Sequence, residues 1–313
     1  MSDLILHHYP QSLYSEKVRL ILGLKNLAWK SVIIPMVAPK PDLTPLTGGY
    51  RRTPVLQIGA DVYCDTALIA EVLERIAPEP SLYRNAQKGV VQTVAQWGDN
   101  NLFWAAVAYF FQTDGVAAAL SQLPPEQVEI YRKDRAELMR TRPLSSFPET
   151  KATLSLYLQR LQQMLEHGQP FLLGDAATLA DASCYHPLWI LRMVPPLAPV
   201  VESIPLVRAW MNRVKDIGHG RPAAISASDA LDIARDSTPA TVRSDASDIP
   251  GIAVGDEIEV MPSDYGLDPV KGELILVEPN HVAVRRDDAR VGTVVVHFPR
   301  IGYLIRQARA AAG

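Results

Sequence analysis

Three short segments in the first part of the chain place polar side chains where they can hold a small charged ligand. Ser12 stands between an apolar run and a helical pattern, beside a helix N-terminus whose N–H groups and dipole favour an anion. Arg52-Thr53-Pro54-Val55 puts a proline before a strand, and a cis bond there would let the Val55 backbone pair with an extended peptide. Asp65-Thr66 supplies a carboxylate and a hydroxyl at a second helix start, which can hold an α-amino-carboxylate group.

The elements that must position these residues alternate between strand and helix patterns over the first 85 residues. Apolar runs stopped by proline or glycine predict strands, and helically spaced apolar residues predict helices. The predicted order is β-α-β-β-β-α or, with a poorly formed segment in the Pro-rich loop, βαβαββα. We expect Ser15 to be the N-cap of the first helix, and Asp65 or Thr66 to cap the helix that ends this segment.

Strand patterns fade after Asn85, and helical periodicity continues to about Arg221. It predicts an all-helical domain of five or six helices over 87–111, 125–140, 151–167, 179–193 and 206–215. A short helix over 226–235 and a polar linker over 236–248 follow. Short β-branched runs after Ile249 predict a small antiparallel β-barrel or roll of four or five strands.

With these motifs the chain resembles the soluble glutathione S-transferase superfamily over roughly residues 4–221. The resemblance extends to Leu173-Gly174-Asp175 and the following Thr178-Leu179-Ala180-Asp181, which is similar to the buried capping box of the family's helical domain. It implies a thioredoxin-like α/β domain at 1–80 and an all-α domain at 86–221. A helix and linker at 222–248 and a small all-β domain at 249–313 are additions to the family pattern.

Ser12 is the residue that the resemblance makes catalytic, because its hydroxyl would donate a hydrogen bond to the glutathione thiolate. Members that work by thiol–disulfide chemistry carry a cysteine at this position, so the serine argues against a glutaredoxin-like mechanism. Members with a catalytic tyrosine carry it at the end of the first strand, where this chain has His8 and then Tyr9. A structural alternative stays open, since a serine at such a place also caps helices.

The resemblance also implies how glutathione would be held. Asp65 and Thr66 would bind its γ-glutamyl end, and the Val55 backbone would pair with its cysteinyl amide. Arg51, Arg52 and Lys40 are three alternatives for binding the glycyl carboxylate. Asp99 is a candidate to reach the glutathione amine of a partner subunit. The full set expected at glutathione is Lys40, Arg52, Thr53, Pro54, Val55, Asp65 and Thr66.

A pocket for a second, hydrophobic substrate is expected beside the aromatic residues of the first long helix. Its candidate residues are Tyr14, Phe103, Trp104 and Phe110. Cys64 and Cys184 are interpreted as small buried residues, and the seven histidines lack the spacing of metal ligands, so no metal is predicted.

Composition limits the partners further. With 31 basic and 34 acidic residues and a net charge of −3, no segment forms the basic stripe that nucleic acid requires. The longest apolar run, 102–111, is too short to cross a bilayer, and no secretory signal pattern opens the sequence. Two cysteines exclude a disulfide scaffold. We therefore expect a cytoplasmic protein, without nucleic acid or membrane partners, to which the resemblance adds glutathione and a homodimer.

Together these expectations describe a glutathione transferase, a detoxification enzyme that conjugates the glutathione thiolate to a small hydrophobic electrophile. One alternative is a non-catalytic glutathione- or protein-binding relative in which the C-terminal strands cover or replace the second-substrate site. Another is a glutathione-dependent isomerase, which the Ser-x-x-Ser loop favours and Tyr14 weakens, because zeta-like members carry a cysteine there. We expect the C-terminal strands to shape the substrate entrance or extend the dimer interface, without being needed to bury either core.

Overall fold

A computed structural model describes residues 3–84, 88–141, 145–241 and 243–308. Its strands are β1 Ile5–His8, β2 Ala28–Ile33, β3 Val55–Ile58, β4 Asp61–Cys64, β5 Arg221–Ala224, β6 Glu257–Pro262, β7 Val270–Glu278, β8 His281–Asp288, β9 Gly292–Pro299 and β10 Tyr303–Gln307. Its α-helices are α1 Leu13–Leu24, α2 Thr44–Thr47, α3 Thr66–Ile76, α4 Lys88–Trp97, α5 Phe103–Gln112, α6 Gly115–Ala119, α7 Pro125–Leu138, α8 Phe147–Leu165, α9 Leu179–Met193, α10 Pro199–Glu202, α11 Pro205–Asp216 and α12 Ala227–Arg235, with a π-helix at Gly98–Leu102 between α4 and α5.

The N-terminal segment has the order βαβαββα, because the Pro-rich loop contains the short helix α2. β1 pairs in parallel with β2 and antiparallel with β3. Successive side chains of a strand face opposite sides of a sheet, so neighbouring residues of one strand belong to two different hydrophobic cores. Leu6 and Leu56 lie in the core shared with the helical domain, whereas Ile5 and Val55 lie in a second core on the other face.

The C-terminal strands continue the N-terminal sheet. A single open sheet runs in the order β10-β6-β7-β8-β9-β4-β3-β1-β2-β5. At the seam, β9 pairs in parallel with β4, and Asp61 lies opposite Val295. The five C-terminal strands therefore agree in number with the expectation, but they extend an existing sheet where a separate barrel or roll was expected.

The second core explains this arrangement. Ile5 and Val55 share it with Val296 and Phe298 of β9, and with Leu231 of α12. The sheet face opposite α1 and α3 is apolar and must be covered, and α12 and the C-terminal strands cover it. The expectation that the C-terminal strands are not needed to bury either core is therefore wrong.

The helical domain lies where periodicity predicted it, with details that the pattern did not show. The predicted helix over 87–111 is interrupted by the π-helix, and its residue 87 lies outside the described residues. A methyl group added at Gly98 would lie 2.8 Å from the Ser183 carbonyl oxygen of α9, so only glycine permits this close approach. The approach brings the next residue, Asp99, to the boundary between the two domains.

The capping box of α9 is present and buried, as the resemblance implies. The Asp181 carboxylate accepts hydrogen bonds from the Thr178 backbone at 2.9 Å and from its hydroxyl at 3.0 Å. The Leu172 amide and the Trp210 indole also donate to it, each at 2.9 Å. Burial raises the pKa of Asp181, and the four donors oppose that shift.

One strand in the region between the helical domain and the polar linker was not predicted. β5 pairs in parallel with β2 at the edge of the sheet, where its four residues are exposed. Among the described helices, none combines the length and the apolar character that a membrane span needs.

Candidate functional site

A cavity of about 1000 Å³ lies between the N-terminal segment, the helical domain and the C-terminal strands. Most of the residues predicted for a site line it: Ser12, Tyr14, Lys40, Arg52, Thr53, Pro54, Asp65, Thr66, Phe103, Trp104 and Phe110. Val55 is the exception, since its side chain is fully buried in the second core and does not line the cavity. The volume lies at the upper end of the range for small-molecule sites.

Ser12 is the N-cap of α1. Its Oγ accepts a hydrogen bond of 3.2 Å from the Ser15 amide, and its side chain is almost completely buried at the cavity wall. The expectation that Ser15 is the N-cap is therefore wrong: Ser15 is the third residue of the helix, and its own hydroxyl is buried without a partner among the described residues. Because the Ser12 oxygen uses a lone pair for the cap, its O–H remains able to donate to a ligand.

Asp65, the N-cap, and Thr66, the first residue of α3, line the cavity together. Asp65 has a backbone φ of 77°, a conformation that L-residues rarely adopt, and its Oδ1 accepts from the Ala67 amide at 2.9 Å. Backbone strain of this kind is found mostly at functional sites. Thr66 Oγ1 accepts from the Lys17 ammonium at 3.0 Å, so its O–H is also available to a ligand.

Lys17 belongs to a buried polar cluster between the two domains. Its ammonium lies 2.6 Å from Asp99 Oδ2, and Asp99 Oδ1 is 3.1 Å from His186 Nε2 on α9. Burial alone would raise the pKa of Asp99, but the Lys17 charge and the His186 hydrogen bond hold it below its usual range. Both carboxylate oxygens of Asp99 thus contact side chains of its own chain, and its expected reach to a second subunit stays a prediction.

The three basic candidates near the Pro-rich loop have different partners. Arg51 pairs with Asp134 of α7 at 2.6 Å, and Arg52 pairs with Asp264 of the C-terminal segment. Lys40 donates to Thr53 Oγ1 at 2.6 Å and to the Arg51 carbonyl at 3.2 Å, but it forms no ion pair with any described residue. Burial lowers the pKa of Lys40 to about 8. The Thr53–Pro54 peptide beside it is cis, as expected.

Aromatic side chains form the other wall of the cavity. Tyr14 lies 4.6 Å from Phe103 between ring centroids, and its hydroxyl donates to the Asp99 carbonyl at 2.6 Å. Tyr265 of the C-terminal segment packs edge-on against Trp104 with centroids 5.1 Å apart, and the Arg52 guanidinium lies 3.9 Å from the Tyr265 ring centre. This wall suits a flat apolar molecule.

Sequence reasoning missed the residues that arrive from outside the first two domains. Asp264, Tyr265 and Tyr303 of the C-terminal segment line the cavity. Within the first two domains, Lys17 and Asp134 were also missed, and they form ion pairs with Asp99 and Arg51. The only signal for Lys17 was its place in the predicted helix that begins just after Ser12. Among the described residues, no group of His, Cys, Asp or Glu could hold a metal ion.

Comparisons with known proteins agree with this architecture. Residues 6–81 match the family described as glutathione S-transferase, N-terminal domain, and residues 127–216 match glutathione S-transferase, C-terminal domain. A GST-like protein from Pseudomonas syringae has a crystal structure with a TM-score of 0.80 and 39% identity. That similarity covers 98% of this chain and 100% of the other, so it includes the C-terminal strands.

More distant structures share the fold of the first two domains. A glutathione S-transferase from Rhodospirillum rubrum is 20% identical with a TM-score of 0.52, covering 68% of this chain and 87% of its own. Glutathione transferase F2 from Populus trichocarpa is 17% identical with a TM-score of 0.51, covering 68% and 93%. Among curated proteins, none has a sequence that matches this chain significantly. The two domain matches and the full-length relative show that the chain belongs to the glutathione S-transferase superfamily, with additional C-terminal strands.

Proposed function

We propose that the protein is a glutathione transferase that conjugates the glutathione thiolate to a small hydrophobic electrophile. The observation that carries the proposal is the shared cavity: Ser12, Lys40 and the Asp65–Thr66 pair line it together with an aromatic wall. Polar groups for a charged tripeptide and apolar groups for a second substrate thus meet in one space. Membership of the superfamily supports the same function.

Ser12 is proposed to stabilise the thiolate. A free thiol has a pKa of about 8.5, and each unit of lowering corresponds to about 1.4 kcal/mol of preference for the anion. The Ser12 O–H and the N-terminus of α1 both favour an anion here, and a lowering of about two units would ionise most of the bound thiol at neutral pH. The thiol proton leaves to solvent, the sulfur bonds to the electrophilic carbon, and the leaving group departs with its electron pair.

Lys40 is proposed to bind the glycyl carboxylate. Arg51 and Arg52 already have the carboxylates of Asp134 and Asp264 as partners, whereas Lys40 is a partly buried cation that has no ion-pair partner among the described residues. Removing a cation from water is costly unless it is paired, so an anionic ligand group fits this place. Thr66 and Asp65 are then proposed to bind the γ-glutamyl carboxylate and ammonium at the start of α3.

The second substrate is proposed to lie between Tyr14, Phe103, Trp104 and Tyr265, in a cavity that Phe110 also lines. We include in the proposal a homodimer in solution, a role in detoxification and a cytoplasmic location. The two free cysteines, Cys64 and Cys184, are buried and support a reducing compartment. Light scattering of the purified protein tests the dimer directly.

The pKa of enzyme-bound glutathione tests the proposed chemistry. Ser12→Gly removes the hydroxyl and keeps most of the helix cap, because glycine at an N-cap costs only a few tenths of a kcal/mol. The wild-type protein should lower the thiol pKa by about two units, seen as thiolate absorbance, and Ser12→Gly should return it towards about 8.5. Ser15→Ala is the matched control, since Ser15 does not line the cavity. An unchanged pKa and conjugation rate in Ser12→Gly would contradict the role of Ser12.

One observation favours the non-catalytic alternative. Tyr265 packs against Trp104 and Phe103, so part of the aromatic wall is already covered by the chain itself. In that case the wild-type protein would bind glutathione without lowering its thiol pKa, and aryl halides would not be conjugated. The absorbance measurement therefore separates the two functions.

A further inference from the structure

The C-terminal strands contribute directly to the wall of the cavity. Their residues there come from the loop after β6, the turn after β7 and the connection between β9 and β10. They are Ser263, Asp264, Tyr265, Asn280, Pro299, Ile301, Gly302 and Tyr303. These strands are therefore placed to affect which ligand the cavity accepts.

Tyr303, the first residue of β10, contacts Asp65, one of the residues predicted to bind glutathione. Its hydroxyl donates to Asp65 Oδ2 at 3.2 Å, while Asp65 Oδ1 accepts from the Ala67 amide. The Tyr50 hydroxyl lies 2.7 Å from the Tyr303 hydroxyl and must donate to it, because the Tyr303 hydrogen is directed at Asp65. The Asp65 carboxylate is thus fixed from two sides, by its own helix and by the C-terminal sheet.

The burial of these groups makes the arrangement rigid. Tyr50 and Tyr303 are both almost completely buried, and their rings are stacked with centroids 6.5 Å apart. Burial raises the pKa of each tyrosine, so both hydroxyls stay protonated and remain donors. Asp65 itself remains partly exposed at the cavity. Each of its oxygens therefore has one fixed donor and keeps acceptor capacity for a ligand.

We propose that Tyr303 is a positioning residue for ligand recognition: it holds the Asp65 carboxylate so that the carboxylate binds the free α-ammonium group of a γ-glutamyl peptide. This inference rests on the proposed function. It assigns to the C-terminal strands a part in selecting ligands that carry this ammonium group. The strands are then part of the binding site as well as of the fold.

The test compares glutathione with its analogue glutaryl-cysteinyl-glycine, which lacks only the α-amino group. Wild-type protein should bind glutathione at least about tenfold more tightly than the analogue by calorimetry, since a charge-assisted hydrogen bond is at stake. Tyr303→Phe keeps the ring and removes the hydroxyl. It should weaken glutathione binding about tenfold and leave the analogue nearly unchanged, so that the preference largely disappears.

Two further variants keep the test decisive. Tyr157→Phe removes a hydroxyl on α8 outside the cavity and should leave both affinities unchanged. Tyr50→Phe removes the donor behind Tyr303 and should reduce the preference by a smaller factor, which provides the answer if Tyr303→Phe does not fold. An equal loss of affinity for both ligands, or an unchanged preference, would overturn the positioning role. If the wild-type protein binds glutathione but does not distinguish the two ligands, this inference fails and the proposed function stands; if it binds neither, both fail.

Discussion

Lys17 and Asp99 form an ion pair across the boundary between the thioredoxin-like and helical domains, with Nζ 2.6 Å from Oδ2. Lys17 is almost completely buried, and the Asp99 side chain is 15% exposed. The pair connects α1, whose N-cap is Ser12, to the π-helix that follows α4. The pair therefore contributes to holding the two domains together beside the cavity.

Removing one charge of this pair should be strongly destabilising. Lys17→Met leaves the Asp99 carboxylate buried without a cation, and we expect a loss of about 3–5 kcal/mol in the free energy of unfolding. Lys17→Met combined with Asp99→Asn should lose less, because no uncompensated charge remains. Urea unfolding of Lys17→Met, Asp99→Asn and the double variant measures the coupling free energy between the two side chains. Additive losses would show that the two side chains do not stabilise the fold together.

Asp181→Ala should lower stability without a specific effect on chemistry. Four buried donors lose their acceptor, and we expect a cost of at least about 2 kcal/mol. The exposed capping box of α12 is the matched control: Asp229→Ala removes a comparable cap bond at the surface and should cost about 0.5–1 kcal/mol. Denaturant midpoints measure both. Normal stability with lost activity in Asp181→Ala would contradict the structural role.

The buried histidines at the seam should make stability depend on pH. His281 Nε2 lies 2.9 Å from His297 Nδ1, and His297 Nε2 lies 3.0 Å from Asp61 Oδ1. Burial, together with the neighbouring His297, lowers the pKa of His281 to about 4, opposed by Glu278. Between pH 6.5 and 4 the unfolded chain takes up a proton that the folded chain does not, so stability falls as pH falls.

The expected slope from His281 is about 1.4 kcal/mol per pH unit within that window, with no further loss below it. Urea unfolding between pH 8 and 4 measures the slope in wild-type protein and in His281→Gln, which should be less steep. The exposed His167→Gln controls for the substitution itself. A slope that stays the same in His281→Gln would rule out this histidine as the cause.

Lys40 should give glutathione binding its own pH dependence. With a pKa of about 8, Lys40 loses its charge as pH rises from 7 to 9, and affinity for a carboxylate should fall. S-methylglutathione is the suitable probe because it has no ionising thiol. Lys40→Arg keeps the charge over this range and should remove that part of the dependence, whereas Lys40→Met should bind weakly throughout. Parallel curves for wild type and Lys40→Arg would argue against Lys40 as the carboxylate ligand.

Truncation after Arg235 should expose the second core. Val55 and Val62 would lose the cover that Val296 and Phe298 give them, so we expect a less soluble protein that binds hydrophobic dyes and unfolds at lower denaturant concentration. A chain that ends at Ala308 is the control. If the shortened chain keeps the stability, glutathione affinity and activity of the control, then the C-terminal strands form an independent module after all.

The sequence predicted the parts of the structure that rest on local pattern. Periodicity and turn residues predicted two orders for the N-terminal segment, of which βαβαββα is observed, and four or five C-terminal strands, of which there are five; the resemblance to the superfamily implied the α9 capping box. The seam between β4 and β9 does not, because strand patterns show that a strand exists but not which strand it pairs with. Tyr265 and Tyr303 were missed for this reason, since their part in the cavity depends on that pairing.

The choice between equivalent candidates also required three dimensions. Ser12 and Ser15 are the same residue type near the predicted start of α1, so the sequence does not distinguish them as N-caps. Only the structure shows that Ser12 is the cap. Lys40, Arg51 and Arg52 have the same charge, and the ion pairs with Asp134 and Asp264 distinguish them. Partners that are distant in sequence therefore decide which side chains are already paired and which can still bind a ligand.

The continuous sheet also has a consequence for synthesis. Asp61 and His297 are 236 positions apart and yet share a hydrogen bond at the seam between β4 and β9. On the ribosome, the N-terminal segment emerges long before β9 exists, so its apolar second face stays without its cover while the 236 positions from Asp61 to His297 are made. Contacts of such long sequence separation form late and slow folding. The C-terminal strands therefore complete the first domain, and chaperones have a long interval in which to bind the uncovered face.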